Sequence, residues 1–402
     1  MRKIGLFLCS ICIFFVASAV PPDKPIMPQE FAAEMGSGAW LILRGPLSAK
    51  KARPAYNPEI PKILKKNGCP GGRLHIGISD QLDLEKMEIP PETLKFIHEA
   101  VDGFLAEGMY LLMMVEIVKG KNLSERDLQL QYKIWDKICF EMKDKSHRLA
   151  MAPFIEWHGW EKESKEDCLK KFNKLQARCT HIFRKYNPTR ILGYKGIASS
   201  RVNGTPWECL DIPYGDKSPY YLVCGSAASL GTAHHSQKWK DWGINEKYTD
   251  EEMKKEIYNF IKPALLYREK TGTAVVIDHW TAGLHSNNID GKFDLEAMGK
   301  SKRAADKREY AKLMRYKAKA EKKGKVFAPR KYSLDQRIAF AEYVGNIVKD
   351  NGLGAAGEPH IIDIFWDIRK NIPIVPAKGS VAYKRQEAAR AVWGKSSKKC
   401  IK

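Results

Sequence analysis

Eight short apolar runs alternate with amphipathic segments along most of this 402-residue chain. That order is typical of strand–helix units arranged around a parallel sheet. Eight parallel strands separated by helices close into a barrel, so the sequence predicts an α/β fold of the (β/α)8 TIM-barrel type. The expected strands are AWLILRG (39–45), RLHIGIS (73–79), MYLLMMVEI (109–117), LAMAPFIE (149–156), RILGYKG (190–196), YYLVCG (220–225), TAVVIDHW (273–280), and either GLGAAG (352–357) or HIIDIFW (360–366).

Helical periodicity between these runs supports the same fold. Two apolar stripes recur every three to four residues and predict buried helix faces. Ser124 and Ser333 precede amphipathic segments as expected N-caps, and Gly108 and Gly352 follow others as expected helix ends. The stripes are Leu94, Ile97, Val101 and Leu105, and then Leu169, Phe172, Leu175, Cys179 and Ile182.

The first 19 residues have the features of a secretory signal peptide. Arg2 and Lys3 precede the apolar run IGLFLCSICIFF, and Ala17-Ser18-Ala19 fits the small-residue cleavage rule. No later apolar run approaches the roughly 18 residues needed to span a bilayer. We therefore expect a secreted monomer, extracellular or periplasmic, with a barrel domain over 20–381 and a basic tail over 382–402.

Cysteine spacing gives no sign of a metal centre. Seven cysteines follow the signal segment, and none of them lies in a tight C-x-x-C pair. A zinc site is therefore not indicated, whereas one or two disulfides remain open. No metal and no other cofactor are expected.

Positive charge is concentrated in one segment, the basic insert (299–332), between the seventh and eighth expected strands. The chain has a formal net charge of +21, and residues 300–331 hold 14 Lys or Arg against three acids. The insert is either a solvated helix with a lysine-rich end or a binding arm for an anionic polymer. Aromatic residues are sparse in it, so a nucleic-acid partner is not expected.

Three expected strands end in an acid, namely Glu116, Glu156 and Asp278. Chemistry in a TIM barrel takes place at the C-terminal ends of the strands. Glycosidic cleavage needs two carboxyl groups on opposite sides of the sugar, and strands four and seven lie across the barrel from each other. Glu156 and Asp278 are thus the candidate pair, although any of these acids could instead cap a helix or pair with a basic residue.

Aromatic residues and histidines surround the two acids in the sequence. Tryptophans suit stacking on sugar faces, while histidines can orient hydroxyl groups or tune a carboxyl group. A metal site at the adjacent His234 and His235 is disfavoured, because neighbouring side chains point in different directions on most backbones. The expected substrate contacts are Arg73, Glu116, Trp157, His158, Trp160, His234, His279 and Trp280.

Two longer segments resemble glycoside hydrolase family five, the cellulase-like barrels. EIPPETLKFIHEAVDGFLAEGMYLLMMVE (88–116) is similar to the family's second helix and third strand. FNKLQARCTHIFRKYNPTRILGYKG (172–196) is similar to its fourth helix and fifth strand, with an Arg-x-x-Asn-Pro-x-Arg ending. The resemblance covers roughly residues 38 to 365 without the basic insert.

The resemblance also implies site residues. The family's asparagine–glutamate pair falls on Ile155-Glu156, which retains the acid/base carboxyl group, and its strand-two arginine on Arg73. The family's nucleophile falls on His279, with Asp278 one residue earlier. The histidines that the family carries after strand three are replaced by Val115-Glu116.

These patterns together predict a secreted hydrolase that cleaves O-glycosidic bonds in a polysaccharide. Glu156 would be the general acid/base, and Asp278 the nucleophile or the base that activates water. Carboxyl groups about 5 to 5.5 Å apart would give retention, and about 6.5 to 9.5 Å inversion. The alternatives are a carbohydrate-binding protein on a degenerate barrel and a lyase acting on acidic glycans.

Overall fold

The eight expected strands form a closed parallel barrel. The computed structural model describes residues 23–46, 56–118, 122–154, 160, 163–196, 207–229, 249–282, 299–300, 304–322, 324, 334–357, 365–367 and 372–394. Each strand pairs with the next, and the eighth pairs with the first, which confirms the predicted fold. The strands are β1 (Ser37–Arg44), β2 (Gly71–Gly77), β3 (Tyr110–Glu116), β4 (Leu149–Ala152), β5 (Leu192–Lys195), β6 (Tyr221–Ser229), β7 (Ala274–Thr281) and β8 (Gly354–Gly357).

Nine α-helices lie in the described part of the chain. Ser124 caps α4 through a capping box with Asp127, as its position predicts. Ser333 lies outside the described residues. The helices are α1 (Pro28–Met35), α2 (Glu59–Lys66), α3 (Pro91–Ala106), α4 (Glu125–Met142), α5 (Lys165–Tyr186), α6 (Asp250–Thr271), α7 (Ala304–Glu321), α8 (Leu334–Asp350) and α9 (Val381–Gly394).

The eighth strand of the barrel lies in the first of its two candidate segments. GLGAAG contains β8, whereas Trp366, the last residue of HIIDIFW, lies in β9 (Trp366–Asp367). This two-residue strand pairs with β10 (Ile372–Pro373) in a separate antiparallel ribbon. The barrel is therefore closed by a short strand of glycine and alanine.

Two hydrophobic layers follow from side-chain alternation along the strands. Leu149 and Met151 of β4 belong to the outer cluster shared with the helices, whereas Ala150 and Ala152 belong to an inner cluster. Successive side chains of a strand point to opposite faces. Residues whose side chains point inward by this alternation have inner parity. Where such residues lie at the C-terminal ends of the strands, they reach the C-terminal opening of the barrel, which is its mouth.

Helix α1 packs against the opposite end of the barrel. Phe31, Ala32 and Met35 are almost completely buried and belong to the inner cluster. The Phe31 ring meets the ring of Tyr110, the first residue of β3, edge-on at 5.7 Å. This helix precedes the repeating pattern of strands and was not predicted from the sequence.

The Arg-x-x-Asn-Pro-x-Arg motif lies between α5 and β5 and contacts backbone carbonyl groups at the turn from α4 to β4. Arg190 is 2% exposed and donates to the carbonyl oxygens of Met142 (3.1 Å), Lys145 (2.6 Å) and Leu149 (3.1 Å). The Asn187 amide donates to the Cys139 carbonyl at 3.2 Å. These contacts fix the end of α4 to the start of β4, so in this chain the motif is structural.

The six described cysteines, Cys69, Cys139, Cys168, Cys179, Cys209 and Cys224, are free thiols. Among the described residues, no group of three or more His, Cys, Asp or Glu is arranged to hold a metal ion. No helix in the same part of the chain is long and apolar enough to cross a membrane.

Candidate active site at the barrel mouth

A bulge near the end of β7 turns two consecutive side chains towards the inside of the barrel. Ile277 pairs with Ala355 of β8, but the next pair is Trp280 with Gly357, so β7 contains one extra residue. The register with β6 shifts at the same place. An extra residue reverses the alternation beyond it. Asp278 and His279 therefore both contact residues of inner parity.

Asp278 lies between two cations inside the barrel. Its Oδ2 atom is 2.6 Å from Lys195 Nζ at the end of β5 and 3.4 Å from Arg73 Nη1 on β2. Arg73 also donates to the Asp278 backbone carbonyl at 3.1 Å. The three side chains are at most 2% exposed, so they form a buried triad with one negative and two positive charges.

Electrostatics within the triad keep Asp278 ionised. Burial works against the charged carboxylate, but the nearby charges of Lys195 and Arg73 outweigh it and hold the pKa of Asp278 below its usual range. Burial also lowers the pKa of Lys195, although Asp278 opposes that effect. The arrangement can supply an unprotonated carboxylate, which a nucleophile or a general base must be.

Several polar atoms of the triad have unused hydrogen-bonding capacity. Asp278 Oδ1 and Arg73 Nε and Nη2 are buried and have no hydrogen-bond partner among the described residues. Buried polar atoms are normally paired, so unpaired ones call for a specific explanation. These atoms are the places where an added water or a polar ligand atom would gain most.

Trp40 and His279 form an aromatic pair beside the triad. Trp40 lies on β1, and its ring centroid is 4.2 Å from that of His279. The Arg73 guanidinium lies 5.0 Å from the Trp40 ring centroid, within cation–π range. Both aromatic side chains are partly exposed, so the pair presents ring surface at the mouth.

Glu116 lies at the end of β3, beside His75 of β2. Glu116 Oε2 is 3.4 Å from His75 Nε2, and Ser79 Oγ donates to Glu116 Oε1 at 3.4 Å. The Glu116 side chain is 18% exposed and His75 8%. A second carboxylate thus reaches the mouth from a neighbouring strand, with an imidazole beside it and a hydroxyl group that donates to it.

Two tryptophans expected to stack on sugar lie instead in the hydrophobic core. Trp280 follows the bulge, so its ring faces outward and is 1% exposed. Trp160 is 8% exposed, and its indole donates to the Leu123 carbonyl at 3.1 Å. Neither ring offers a free face to a ligand, whereas the partly exposed ring of Trp40 lies beside His279 on the inside of the barrel.

The remaining expected site residues lie outside the described part of the chain. They include the proposed acid/base, Glu156, and three of its expected companions. The position of Glu156 relative to Asp278 therefore stays a prediction from barrel geometry. The companions are Trp157, His158 and His234.

Trp40, His75 and Lys195 are not among the residues that sequence patterns single out. A search for acids at strand ends passes over all three, because none of them is acidic. Lys195 carries a recognisable signal, since it is the last residue of the apolar strand LGYK, at inner parity. A charged residue of either sign at such a position therefore indicates a side chain that points to the inside of the barrel near its mouth.

Comparisons with solved structures identify the same barrel in endoglucanases. The "GH5-4 broad specificity endoglucanase from Clostridum cellulovorans" is 13% identical, with a TM-score of 0.62 over 93% of this chain and 98% of that one. "ZgEngAGH5_4 in complex with a cellotriose" is 14% identical, with a TM-score of 0.63 over 92% and 98%. Cel5A of Thermotoga maritima with cellobiose is 13% identical, with a TM-score of 0.60 over 90% and 99%.

No protein-family model and no curated protein matches the sequence. At these low identities, the structural likeness shows a shared fold. It confirms the resemblance to family five at that level, because almost the whole of each endoglucanase chain is covered.

Proposed function

We propose that this protein is an exported glycoside hydrolase that cleaves O-glycosidic bonds of a polysaccharide at the mouth of its barrel. One observation carries the proposal: an ionised carboxylate, Asp278, is held on the inside of β7 near its C-terminal end. Strand β4, which leads to Glu156, lies across an eight-stranded barrel from β7. The shared fold with endoglucanases supports the same reaction class.

In this proposal Glu156 protonates the leaving oxygen, and Asp278 attacks the anomeric carbon or activates a water molecule. The low pKa of Asp278 suits both of its roles, because each requires the unprotonated form. Trp40 and His279 would contact a sugar ring, and Glu116 would accept hydrogen bonds from its hydroxyl groups. Trp157, His158 and His234 remain proposed substrate contacts.

Reducing-end release on a panel of neutral and acidic polysaccharides tests the proposal. Glu156→Gln removes the ionisable acid with little change of shape and should lower kcat/KM by about 10²- to 10⁴-fold. Glu163→Gln is the matched control, since Glu163 pairs with Lys171 of α5, and it should retain activity. Undiminished activity in Glu156→Gln would remove the assignment.

The burial of Asp278 favours one second candidate, a protein that binds polysaccharide without cutting it. A carboxylate that is 0% exposed and shared by two cations is also what a purely structural ion cluster looks like. Wild-type protein that is retained on polysaccharide but never shortens it would favour this function. Release of new reducing ends by the wild type would argue against it.

A further inference from the structure

We infer that Lys195 is a positioning residue, which fixes Asp278 in its ionised form at one place inside the barrel and so sets the acid limit of the reaction. The inference rests on the proposed function, because it assigns Lys195 a role through the proposed nucleophile or base. It concerns a residue of β5 for which the resemblance to family five implies no role.

The geometry makes Lys195 the dominant partner of the carboxylate. Its Nζ atom is 2.6 Å from Asp278 Oδ2, whereas the nearest Arg73 nitrogen is 3.4 Å away. The Lys195 side chain is 2% exposed. Its backbone is fixed by β5–β6 pairing with Cys224 and by the Gln176 amide, which donates to the Lys195 carbonyl at 3.1 Å.

Charge counting predicts that a variant without this lysine still folds. The triad has two buried cations for one carboxylate, and an unbalanced buried charge is unfavourable. Replacing Lys195 with methionine leaves Arg73 and Asp278 as a balanced pair. The variant loses the shortest ion pair of Asp278, but Arg73 remains beside the buried carboxylate.

The same substitution should change how Asp278 titrates. Among the described residues, the titratable groups around Asp278 are Lys195 on β5, Arg73 on β2, Cys224 on β6 and His279 on β7. Of these, Lys195 has the largest effect in lowering the pKa of Asp278, against the opposing effect of burial. Without Lys195, burial counts for more, and the carboxylate accepts a proton at a higher pH.

The first test compares kcat/KM against pH for wild type, Lys195→Met and Lys195→Arg. We expect the acid limb of Lys195→Met to move up by about one pH unit or more. We also expect kcat to fall by about 10- to 100-fold with a smaller change in KM, because the carboxylate is misplaced. Lys195→Arg should restore much of both, and an unmoved acid limb would overturn the inference.

The second test does not depend on activity and follows Tm against pH for the same variants. A depressed pKa gives stability that is present above the unfolded value, about 3.9, and is lost as pH falls through the folded value. In Lys195→Met the folded pKa lies closer to the unfolded value, so the loss of Tm on acidification should be smaller than in the wild type and should end at a higher pH. Lys185→Met, which removes an exposed lysine paired with Asp136, is the matched control.

The outcomes separate the inference from the proposed function. If the wild type shows no hydrolysis but the acid dependence of Tm changes in Lys195→Met, the proposed function fails and the positioning role of Lys195 stands. If hydrolysis occurs, and neither the kcat/KM profile nor the Tm profile against pH differs from that of Lys185→Met, the positioning role is overturned and the hydrolase remains.

Discussion

Asp278 lies between Arg73 and Lys195, away from water, and its surroundings determine what the residue can do. A carboxylate that shares two buried cations is held in place by strong electrostatics. The sequence predicts an acid at the end of strand seven, and the strand pattern predicts that it lies near the mouth. Its partners could not be predicted, because Arg73 and Lys195 are 122 residues apart in the chain and meet only when the barrel closes.

The stability of the triad gives the first prediction at this scale. Asp278→Asn would leave Arg73 and Lys195 buried without a carboxylate, so we expect it to lower the free energy of unfolding by about 3–5 kcal/mol. Urea denaturation at pH 7 measures the change. The matched control is Asp102→Asn, because Asp102 is 52% exposed and pairs with Lys145, and it should change stability by about 0–1 kcal/mol. Equal losses in the two variants would contradict the assignment of a tightly coupled triad.

The junction between α4, α5 and β5 shows what could be predicted about whole elements. Helical periodicity and the Arg-x-x-Asn-Pro-x-Arg ending located the junction in the sequence. The function of that ending is visible only in the structure, where Arg190 contacts carbonyl groups at the end of α4 and just after it. The bulge in β7 could not be predicted either, because the alternation of apolar residues does not indicate where one extra residue interrupts the pairing of the strands.

Arg190 gives a prediction at the level of the junction. Burial lowers its pKa to about 10, so the guanidinium is still charged at neutral pH. Arg190→Met would leave several buried carbonyl groups without a donor, at about 1–3 kcal/mol for each unsatisfied group. We therefore expect a large fall in Tm or loss of soluble protein. Arg126→Met is the control, because Arg126 is exposed and makes one backbone contact, to Leu84 at 2.9 Å; a similar fall there would count against the capping role.

The contact between β7 and β8 gives a second prediction for the elements. A Cβ atom on Gly357 would lie 1.9 Å from the Trp280 ring, so Gly357→Ala must displace that buried side chain. Overpacking of this kind typically costs about 1–3 kcal/mol. Trp280→Phe should relieve the clash, so the double variant should lose less stability than the sum of the two single variants. Simple additivity in thermal unfolding would show that the ring does not constrain β8.

At the scale of the whole molecule, the closed barrel could be predicted because each of its units repeats the same alternation. Helix α1 could not be predicted, because it lies outside that repeat. Its apolar residues pack against the barrel interior, which forms only in the folded chain. The concentration of positive charge in the basic insert could also be predicted, because it follows directly from the sequence. Helix α7 lies within the basic insert and follows β7, and loops after the strands of such a barrel emerge at the mouth.

The last prediction concerns whether the basic insert acts as a binding arm. Lys307, Arg315 and Lys319 are exposed on α7, and changing all three to Gln should weaken binding to polygalacturonate by about tenfold at low salt. A control variant changes Lys62, Lys95 and Lys254 to Gln, which lowers net charge equally on other helices. The difference between the variants should shrink as salt approaches about 1 M, where the screening length is about 3 Å. Equal weakening in both would mean that overall charge, and not the insert, attracts the polymer, whereas unchanged binding in both would favour a neutral polysaccharide.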